Sequence, residues 1–261
     1  MNRDPLFLTV ANGVATITIN RPEKRNAMSL EMWLSMRRFV EAAAADREVL
    51  TLILRGVDET AFASGADIEE MLGIAGSEEA AWRVMDAVRG AEQSLADCPK
   101  PVIAMISGFC IGGGMELALG CDLRFAARNA RFAIPPAKLG LVYSLSSTQR
   151  LIRLVGLGQA RDLLYSARPF DATEALNLGL IERVFDDADL ERETLEYAKV
   201  LSRRSQYSIR AAKRLSAAAV AGGSDEDASI RKIRGGAFHG DDLAEGLKAF
   251  SQKRPPEFTW R

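Results

Sequence analysis

The chain has 261 residues, of which 48% are hydrophobic and 26% are charged, so it can bury a large core in one big domain, with at most a small appendage. Its formal net charge is −1 at pH 7, and like charges do not run together for more than a few residues. This balance argues against a nucleic-acid or membrane-surface protein, and an anionic ligand would have to be bound by local groups.

We expect no targeting signal at the start of the chain. Met1 to Val10 lacks a basic region followed by a long apolar stretch, and no window approaches the roughly 20 apolar residues that a membrane span needs. We therefore expect a cytoplasmic protein with no nucleic-acid or membrane partner.

The cysteines and the single histidine predict no metal site. Cys98, Cys110 and Cys121 are odd in number and form no CxxC pair, which argues against a disulfide framework or a zinc site. We expect small buried side chains there rather than a catalytic thiol. His239 stands in a polar stretch far from the glycine-rich segment, so a serine–histidine triad is not expected.

The chain opens with a predicted hairpin, in which Leu6 to Val10 and Val14 to Ile19 flank the turn-forming pair Asn12-Gly13. Ser29 is a candidate N-cap for a helix whose apolar residues recur from Met32 to Ala43. The pattern then predicts strands at Leu50 to Leu54, Val102 to Ile106, Leu123 to Ala126 and Leu180 to Phe185, and helices at Ala80 to Ala96, from Gly114, near Thr148 to Val155 and near Thr173 to Leu178.

This alternation predicts an α/β layered fold, in which ligands tend to bind where strands lead into helices. From Leu190 onward the pattern is helical, with a break at Gly222-Gly223. The tail is either an appendage or an oligomer interface, and its apolar positions are Ile230, Ile233, Phe238, Leu243, Leu247 and Phe250.

Two strand-to-helix connections are rich in small residues. The first runs from Ala61 to Ile68 and leads into a short helical segment, Ile68 to Leu72. Small side chains there allow a ligand to lie against the main chain. The second runs from Ser107 to Leu117 and contains three consecutive glycines, Gly112 to Gly114, at a predicted helix start.

Consecutive glycines at a helix start expose amide groups, and the helix dipole favours negative charge there. They could equally form only a tight turn. The spacing matches neither GxGxxG nor a Walker loop, so a nucleotide-phosphate site is poorly supported. Glu116 follows the glycines among apolar neighbours, Met115 and Leu117 to Leu119, and is either solvated or a buried functional carboxyl.

The blocks Phe62 to Ile68, Lys100 to Ala104, Gly108, Gly112 to Ala118 and Cys121-Asp122 resemble the signature blocks of the crotonase, or enoyl-CoA hydratase/isomerase, superfamily in order and spacing. The resemblance extends to Arg21-Pro22, Asn26 to Met28, Thr148 to Leu151, Ala172 to Gly179 and Glu245 to Phe258, and so covers nearly the whole chain. It implies a crotonase-like ββα spiral core at residues 1–200 and a C-terminal helical trimerisation region at 201–261. It also implies a homotrimer or a dimer of trimers.

By this resemblance, the amides of Ala66 and Gly113 form an oxyanion hole for a thioester carbonyl, and Glu116 is an acid/base group. The adenine end of coenzyme A is expected along the first loop. Coenzyme A enters as part of the substrate, and no other cofactor is implied. The predicted coenzyme contacts are Lys24, Arg25, Ala63, Ser64, Ala66, Asp67, Ile68, Phe250 and Lys253. The three cations could equally be solvated surface residues.

One departure from the family pattern affects the chemistry. Hydratases of this family usually place a second glutamate twenty residues after the first, and that position is Pro136 here. Two carboxylates can divide the activation of water and the handling of the α-carbon proton between them, whereas one must do both.

The segment Gly140 to Leu145 resembles family members that decarboxylate methylmalonyl-CoA, in which a tyrosine occupies the place of Tyr143. Those members carry histidine where this chain has Ala66, so the match is partial. Tyr143 is thus a candidate catalytic residue or a core tyrosine whose hydroxyl is satisfied.

We expect an enoyl-CoA hydratase-like lyase. The alternatives are a decarboxylase of a methylmalonyl-CoA-like thioester, an enoyl-CoA isomerase on the same scaffold, and a non-catalytic acyl-CoA-binding member of the family.

Overall fold

The computed structural model describes residues 4–260. Strands β1 (Leu6–Ala11) and β2 (Val14–Ile19) form the predicted hairpin, and α1 (Leu30–Ala45) begins after the predicted cap, because the Ser29 side chain accepts a hydrogen bond from the Met32 amide. Three units follow, and each consists of a longer strand, a short strand and one or two helices. The first contains β3 (Thr51–Gly56), β4 (Ala61–Ala63), α2 (Ile68–Ile74) and α3 (Glu78–Asp97), and the second contains β5 (Val102–Ile106), β6 (Phe109–Ile111) and α4 (Gly113–Gly120). The third contains β7 (Leu123–Ala127), β8 (Arg131–Ala133), α5 (Pro136–Leu139) and α6 (Leu145–Ser166).

The rest of the described chain is mainly helical. It comprises β9 (Phe170–Asp171), α7 (Ala172–Asn177), β10 (Arg183–Phe185), α8 (Leu190–Ser202), α9 (Gln206–Val220), α10 (Ala228–His239) and α11 (Asp241–Ser251). The division predicted at residue 200 falls in the last turn of α8. Within residues 4–260, no helix combines the length and apolar character that crossing a bilayer requires.

The strands form two sheets. The larger has the order β1-β2-β3-β5-β7-β10, with β1 antiparallel to β2 and the remaining pairs parallel. The smaller has the order β4-β6-β8-β9, with only β8 and β9 antiparallel. Because each unit sends one strand to each sheet, the ends of β4 and β6 lie side by side, and the two small-residue loops meet there.

Both faces of the large sheet are covered, as expected for parallel strands. The main core lies on one face and includes Met36, Leu52, Phe62 and Leu117, while a second cluster on the other face packs Phe125 against Leu190 and Ala198 of α8. The three cysteines are buried and free, as predicted.

Several boundaries differ from the sequence prediction. The helix predicted near residues 148–155 runs from Leu145 to Ser166, with a kink at Gly156, where φ is 78°. The strand predicted from Leu180 begins only at Arg183, because Leu180 and Ile181 are buried in the connection that precedes it. The four strands of the small sheet were not predicted, since segments of two or three residues are too short to display an alternating pattern.

Candidate active site

The first small-residue loop is held against the segment that precedes α1. The Ser64 amide donates to the Arg25 carbonyl at 3.1 Å, the Met28 amide donates to Gly65 at 2.8 Å, and the Asp67 amide donates to Met28 at 2.9 Å. Met28 and Ala66 thereby form a parallel bridge. Since backbone groups alternate in direction along extended chain, the Ala66 N–H faces away from Met28.

The Asp67 side chain secures this loop. Its carboxylate lies 3.0 Å from the Arg21 guanidinium and 3.3 Å from the Lys24 ammonium, and it also caps α2 by accepting from the Glu69 amide at 3.0 Å. Burial acts to raise the pKa of Asp67, but the hydrogen bonds from Arg21 and Lys24 hold it below its usual value. Asp67 was predicted to contact coenzyme A, and its carboxylate is already engaged within the chain.

Each glycine of the second loop has its own structural reason. Gly112 has a φ of 56°, which favours glycine. A Cβ at Gly113 would lie 2.9 Å from the Trp33 ring, and one at Gly114 would lie 2.1 Å from the Ala63 carbonyl oxygen. The triple glycine therefore allows α4 to start in direct contact with β4 and α1.

The two loops approach each other at Gly65 and Gly113. Gly65 has a φ of 104°, and a Cβ there would lie 3.2 Å from the Gly113 nitrogen. Within residues 4–260, neither the Ala66 amide nor the Gly113 amide donates to a protein acceptor. Both amides are therefore free to bind an external oxygen, and Gly113 adds the positive end of the α4 dipole. The use of this pair as an oxyanion hole stays a prediction.

Glu116 lies in the first turn of α4 and is 8% exposed. Its carboxyl accepts from the Ser144 amide and is hydrogen-bonded to the Ser147 hydroxyl. Burial, followed by the nearby Glu92 carboxylate, raises the pKa of Glu116 to about 8. A carboxyl tuned to neutral pH beside unpaired amides is suited to transferring protons.

Glu92, which the sequence analysis missed, is the second buried carboxylate of the region. It is fully buried on α3 and accepts hydroxyl hydrogen bonds from Ser144 at 3.0 Å and from Ser146 and Ser147. A signal was present in the sequence, because Glu92 occupies a position on the buried stripe that also includes Ala87, Ala91 and Leu95.

Glu92 is also stabilised by positive charge. The Arg150 guanidinium on α6 lies 3.5 Å from its Oε2 atom. The three serines lie at the N-terminus of α6, with Ser144 as the N-cap, so the helix dipole also favours a negative group here. Arg150 belongs to a block used for the family resemblance, whereas the three serines drew no functional prediction.

Tyr143 is half-buried against the main core, and its hydroxyl donates to the Gly112 carbonyl at 2.6 Å. Burial, followed by the charge of Glu116, raises the pKa of Tyr143 well above its usual value, so the phenol stays neutral. The sequence left open whether the Tyr143 hydroxyl has a hydrogen-bond partner, and the structure shows that it has one. That partner is the carbonyl of the peptide bond whose nitrogen belongs to Gly113.

Pro136, at the position of the usual second glutamate, is buried and begins α5. The neighbouring Ala133 carbonyl accepts from the Gly112 amide at 3.1 Å, so this segment does border the glycine loop. It contributes no carboxylate.

The residues predicted to bind coenzyme A are dispersed. Lys24 forms ion pairs with Asp67 and with Glu69, the latter at 2.6 Å, and Arg25 lies 5.0 Å from the centre of the Phe109 ring. Phe250 and Lys253, at the end of α11, are exposed and are joined to neither small-residue loop by a hydrogen bond or ion pair in the described chain.

A cavity of about 700 Å³ lies among the C-terminal helices, lined by residues that include Tyr207, Gly236, Asp242, Leu247 and Trp260. It contains none of the predicted catalytic residues. Its size therefore does not identify it as the active site, and the paired amides with Glu116 remain the candidate.

Known proteins resemble this chain in sequence and in fold. A model of the enoyl-CoA hydratase/isomerase family matches residues 9–261. The chain belongs to this family. The short-chain-enoyl-CoA hydratase of Clostridium acetobutylicum is 34% identical over 271 residues, which cover 98% of both chains. The crotonyl-CoA hydratase of Syntrophomonas wolfei is 33% identical over 267 residues, which cover 99% of both.

The fold of this family member is confirmed by solved structures. The crystal structure of an enoyl-CoA hydratase/isomerase family protein from Hyphomonas neptunium matches it with a TM-score of 0.96 and 39% identity over 98% of each chain. The α/β core with a helical C-terminal region is therefore the crotonase fold, as the resemblance implied.

Proposed function

We propose that this enoyl-CoA hydratase/isomerase family member adds water reversibly to the double bond of a 2-enoyl-CoA. The observation that carries the proposal is the placement of one buried carboxyl, Glu116, in the first turn of the helix whose leading amide, Gly113, is unpaired beside Ala66. Relatives named as hydratases support the reaction class.

In this reaction the thioester oxygen lies between the Ala66 and Gly113 amides. Attack of water at the β-carbon moves an electron pair onto that oxygen, and the amides stabilise the resulting enolate. One donor of this kind contributes about 2.7–4 kcal/mol where it has been measured. Glu116 transfers a proton to the α-carbon and takes one from water, so it returns to its starting protonation state.

The coenzyme portion is proposed to lie along the first loop, from Ala63 to Ile68, with its phosphates near Arg25 and Lys253. Arg25 is exposed and Lys253 forms no ion pair within the described residues. Lys24 would first have to exchange its ion pairs with Asp67 and Glu69 for a phosphate.

The test is an assay with crotonyl-CoA in which loss of the conjugated thioester is followed by absorbance and 3-hydroxybutyryl-CoA is identified by mass spectrometry. We expect hydration by the wild-type chain and its loss in the Glu116→Gln variant. A purified, folded protein that leaves crotonyl-CoA and longer or branched 2-enoyl-CoA thioesters unchanged would contradict the proposal.

A second candidate is decarboxylation of a malonyl-type thioester, and Pro136 favours it. Loss of carbon dioxide needs no activated water and therefore no second carboxylate. The electron pair of the broken bond enters the same enolate, and Glu116 then protonates the α-carbon. Release of carbon dioxide from methylmalonyl-CoA, with no hydration of crotonyl-CoA, would select this reaction. Coenzyme binding without turnover of any thioester would select the non-catalytic alternative.

A further inference from the structure

The N-terminus of α6 lies between two buried glutamates. Ser144, Ser146 and Ser147, here called the serine cluster, contact Glu92 from α3 through their hydroxyls, while Ser144 and Ser147 also contact Glu116 from α4. The two helices touch at this level, since a Cβ at Gly120 would lie 2.7 Å from the Glu92 carbonyl oxygen. Gly120 is one turn after Glu116, so both carboxyls face the same serines.

All three hydroxyls of the serine cluster contact Glu92. Its Oε1 accepts from Ser144 and Ser146, and its Oε2 accepts from Ser147, with Arg150 at 3.5 Å. A carboxyl whose two oxygens both act as acceptors beside a guanidinium is ionised. Within residues 4–260 no cation forms an ion pair with Glu116, so of the two carboxyls only Glu92 lies next to a guanidinium.

We propose that Glu92 is a positioning residue that keeps Glu116 in its acid form at rest, because the two buried carboxyls meet at the same serine cluster. The inference rests on the proposed function, in which Glu116 moves a proton. It adds that Glu116 already carries this proton at the start of the cycle. Two buried carboxylates side by side would repel each other, and one shared proton removes that repulsion.

The other groups that face Glu116 agree with this assignment. Tyr143, from the segment before α6, stays neutral and donates its hydrogen to Gly112, so it supplies no positive charge. The guanidinium of Arg150 lies against Glu92 and donates to the Gln93 side chain at 2.7 Å. Burial and the charge of Glu92 together raise the pKa of Glu116 to about 8, which makes the acid form the main species at pH 7.

The test is infrared spectroscopy of the full chain, in which protonated and ionised carboxyls absorb separately. We expect a protonated carboxyl at pH 7 that is absent from the Glu116→Gln variant and that ionises near pH 8 in the wild-type chain. Subtraction of the variant spectrum isolates Glu116 from other buried acids such as Asp122. A wild-type chain whose Glu116 is already ionised at pH 7 would overturn the proposal.

One variant tests the role of Glu92. Glu92→Gln removes the negative neighbour, and we expect the Glu116 titration to move down by about one pH unit or more, a tenfold loss of proton affinity. Glu79→Gln, an exposed change on the same helix, should leave it in place. An unchanged or higher midpoint in Glu92→Gln would overturn the proposal.

If Glu92→Gln does not fold, the titration of the wild-type chain still tests the proposal, because a Glu116 that is already ionised at pH 7 would overturn it. The titrations need no substrate. If Glu116 titrates as expected but the chain turns over no thioester, only the proposed function is rejected. If the chain hydrates an enoyl-CoA but Glu116 does not titrate as expected, only this inference is rejected.

Discussion

The Tyr143 hydroxyl donates to the carbonyl of Gly112, the residue whose peptide bond supplies the Gly113 amide. The same carbonyl accepts from the Glu116 amide at 3.1 Å. Hydrogen bonds to a peptide oxygen fix the peptide plane and polarise its N–H, so Tyr143 aims the proposed oxyanion donor without touching the thioester.

Tyr143→Phe should therefore lower kcat about tenfold, the equivalent of one hydrogen bond of about 1.4 kcal/mol, with little change in KM. Steady-state kinetics with the active thioester provide the measurement. Tyr165→Phe is the matched control, since Tyr165 lies on α6 with its ring largely exposed. Equal kcat values for both variants would show that the bond to Gly112 does not contribute to turnover.

Glu116→Gln should reduce kcat by about 10² to 10⁴ while leaving the affinity for coenzyme A within a factor of two or so, because a proton-transfer group acts in the transition state. Calorimetric titration with coenzyme A and turnover assays measure the two effects separately. Undiminished turnover would remove Glu116 from the mechanism.

The same variant should change the pH dependence of stability. The pKa of Glu116 is about 8 in the folded chain and near 4.5 when unfolded, so its contribution is fully present below pH 4.5 and is lost as pH rises to about 8. The unfolding free energy of the wild-type chain should fall relative to that of Glu116→Gln by about 1.4 kcal/mol per pH unit in this window. Urea unfolding at pH 5, 6.5 and 8 tests this. Parallel curves for the two proteins would show that Glu116 is not protonated in the folded state.

Gly114→Ala should separate the two loops, since its Cβ would lie 2.1 Å from the Ala63 carbonyl oxygen. We expect a loss of unfolding free energy of about 1–3 kcal/mol or more and the loss of turnover. Gly235→Ala is the control, because it lies inside α10 with no atom within 4 Å of the added Cβ and should be neutral or stabilising. Urea unfolding compares the two, and equal stabilities would contradict the predicted clash.

Assembly is predicted to be trimeric or hexameric. In the described chain Ile230 is buried, while Leu243, Leu247 and Phe250 are 39%, 63% and 85% exposed, which leaves an apolar surface on the last helix. Light scattering at micromolar concentration should therefore give a mass of three or six chains, and a monomer mass would contradict it.

Lys253→Ala should weaken coenzyme A binding, most clearly at low salt, where a phosphate contact is least screened. Lys248→Ala, an exposed lysine one turn earlier on α11, serves as the control. Equal affinities for the two variants would make Lys253 a surface cation.

Local sequence patterns predicted the parts of the fold that depend on local chemistry. The Asn12-Gly13 turn, the Ser29 cap and the strand Val102 to Ile106 were all correct, because each is encoded by adjacent residues. Gly113 and Glu116 also lie within one run of adjacent residues, and their roles, which the family resemblance implied, stay predictions. Glu92 was not predicted, because its serine partners follow it by more than 50 residues and meet it only when α6 packs on α3 and α4.

The contact between Gly114 and Ala63 joins the two small-residue loops through their main chains. The spacing of the two amide donors is set by main chain against main chain, so exchanging a neighbouring side chain cannot widen or narrow it. Apolar side chains are exposed on α2 and before α6, among them Leu72 and Val142. Substitution of these side chains would leave the contact between Gly114 and Ala63 unchanged.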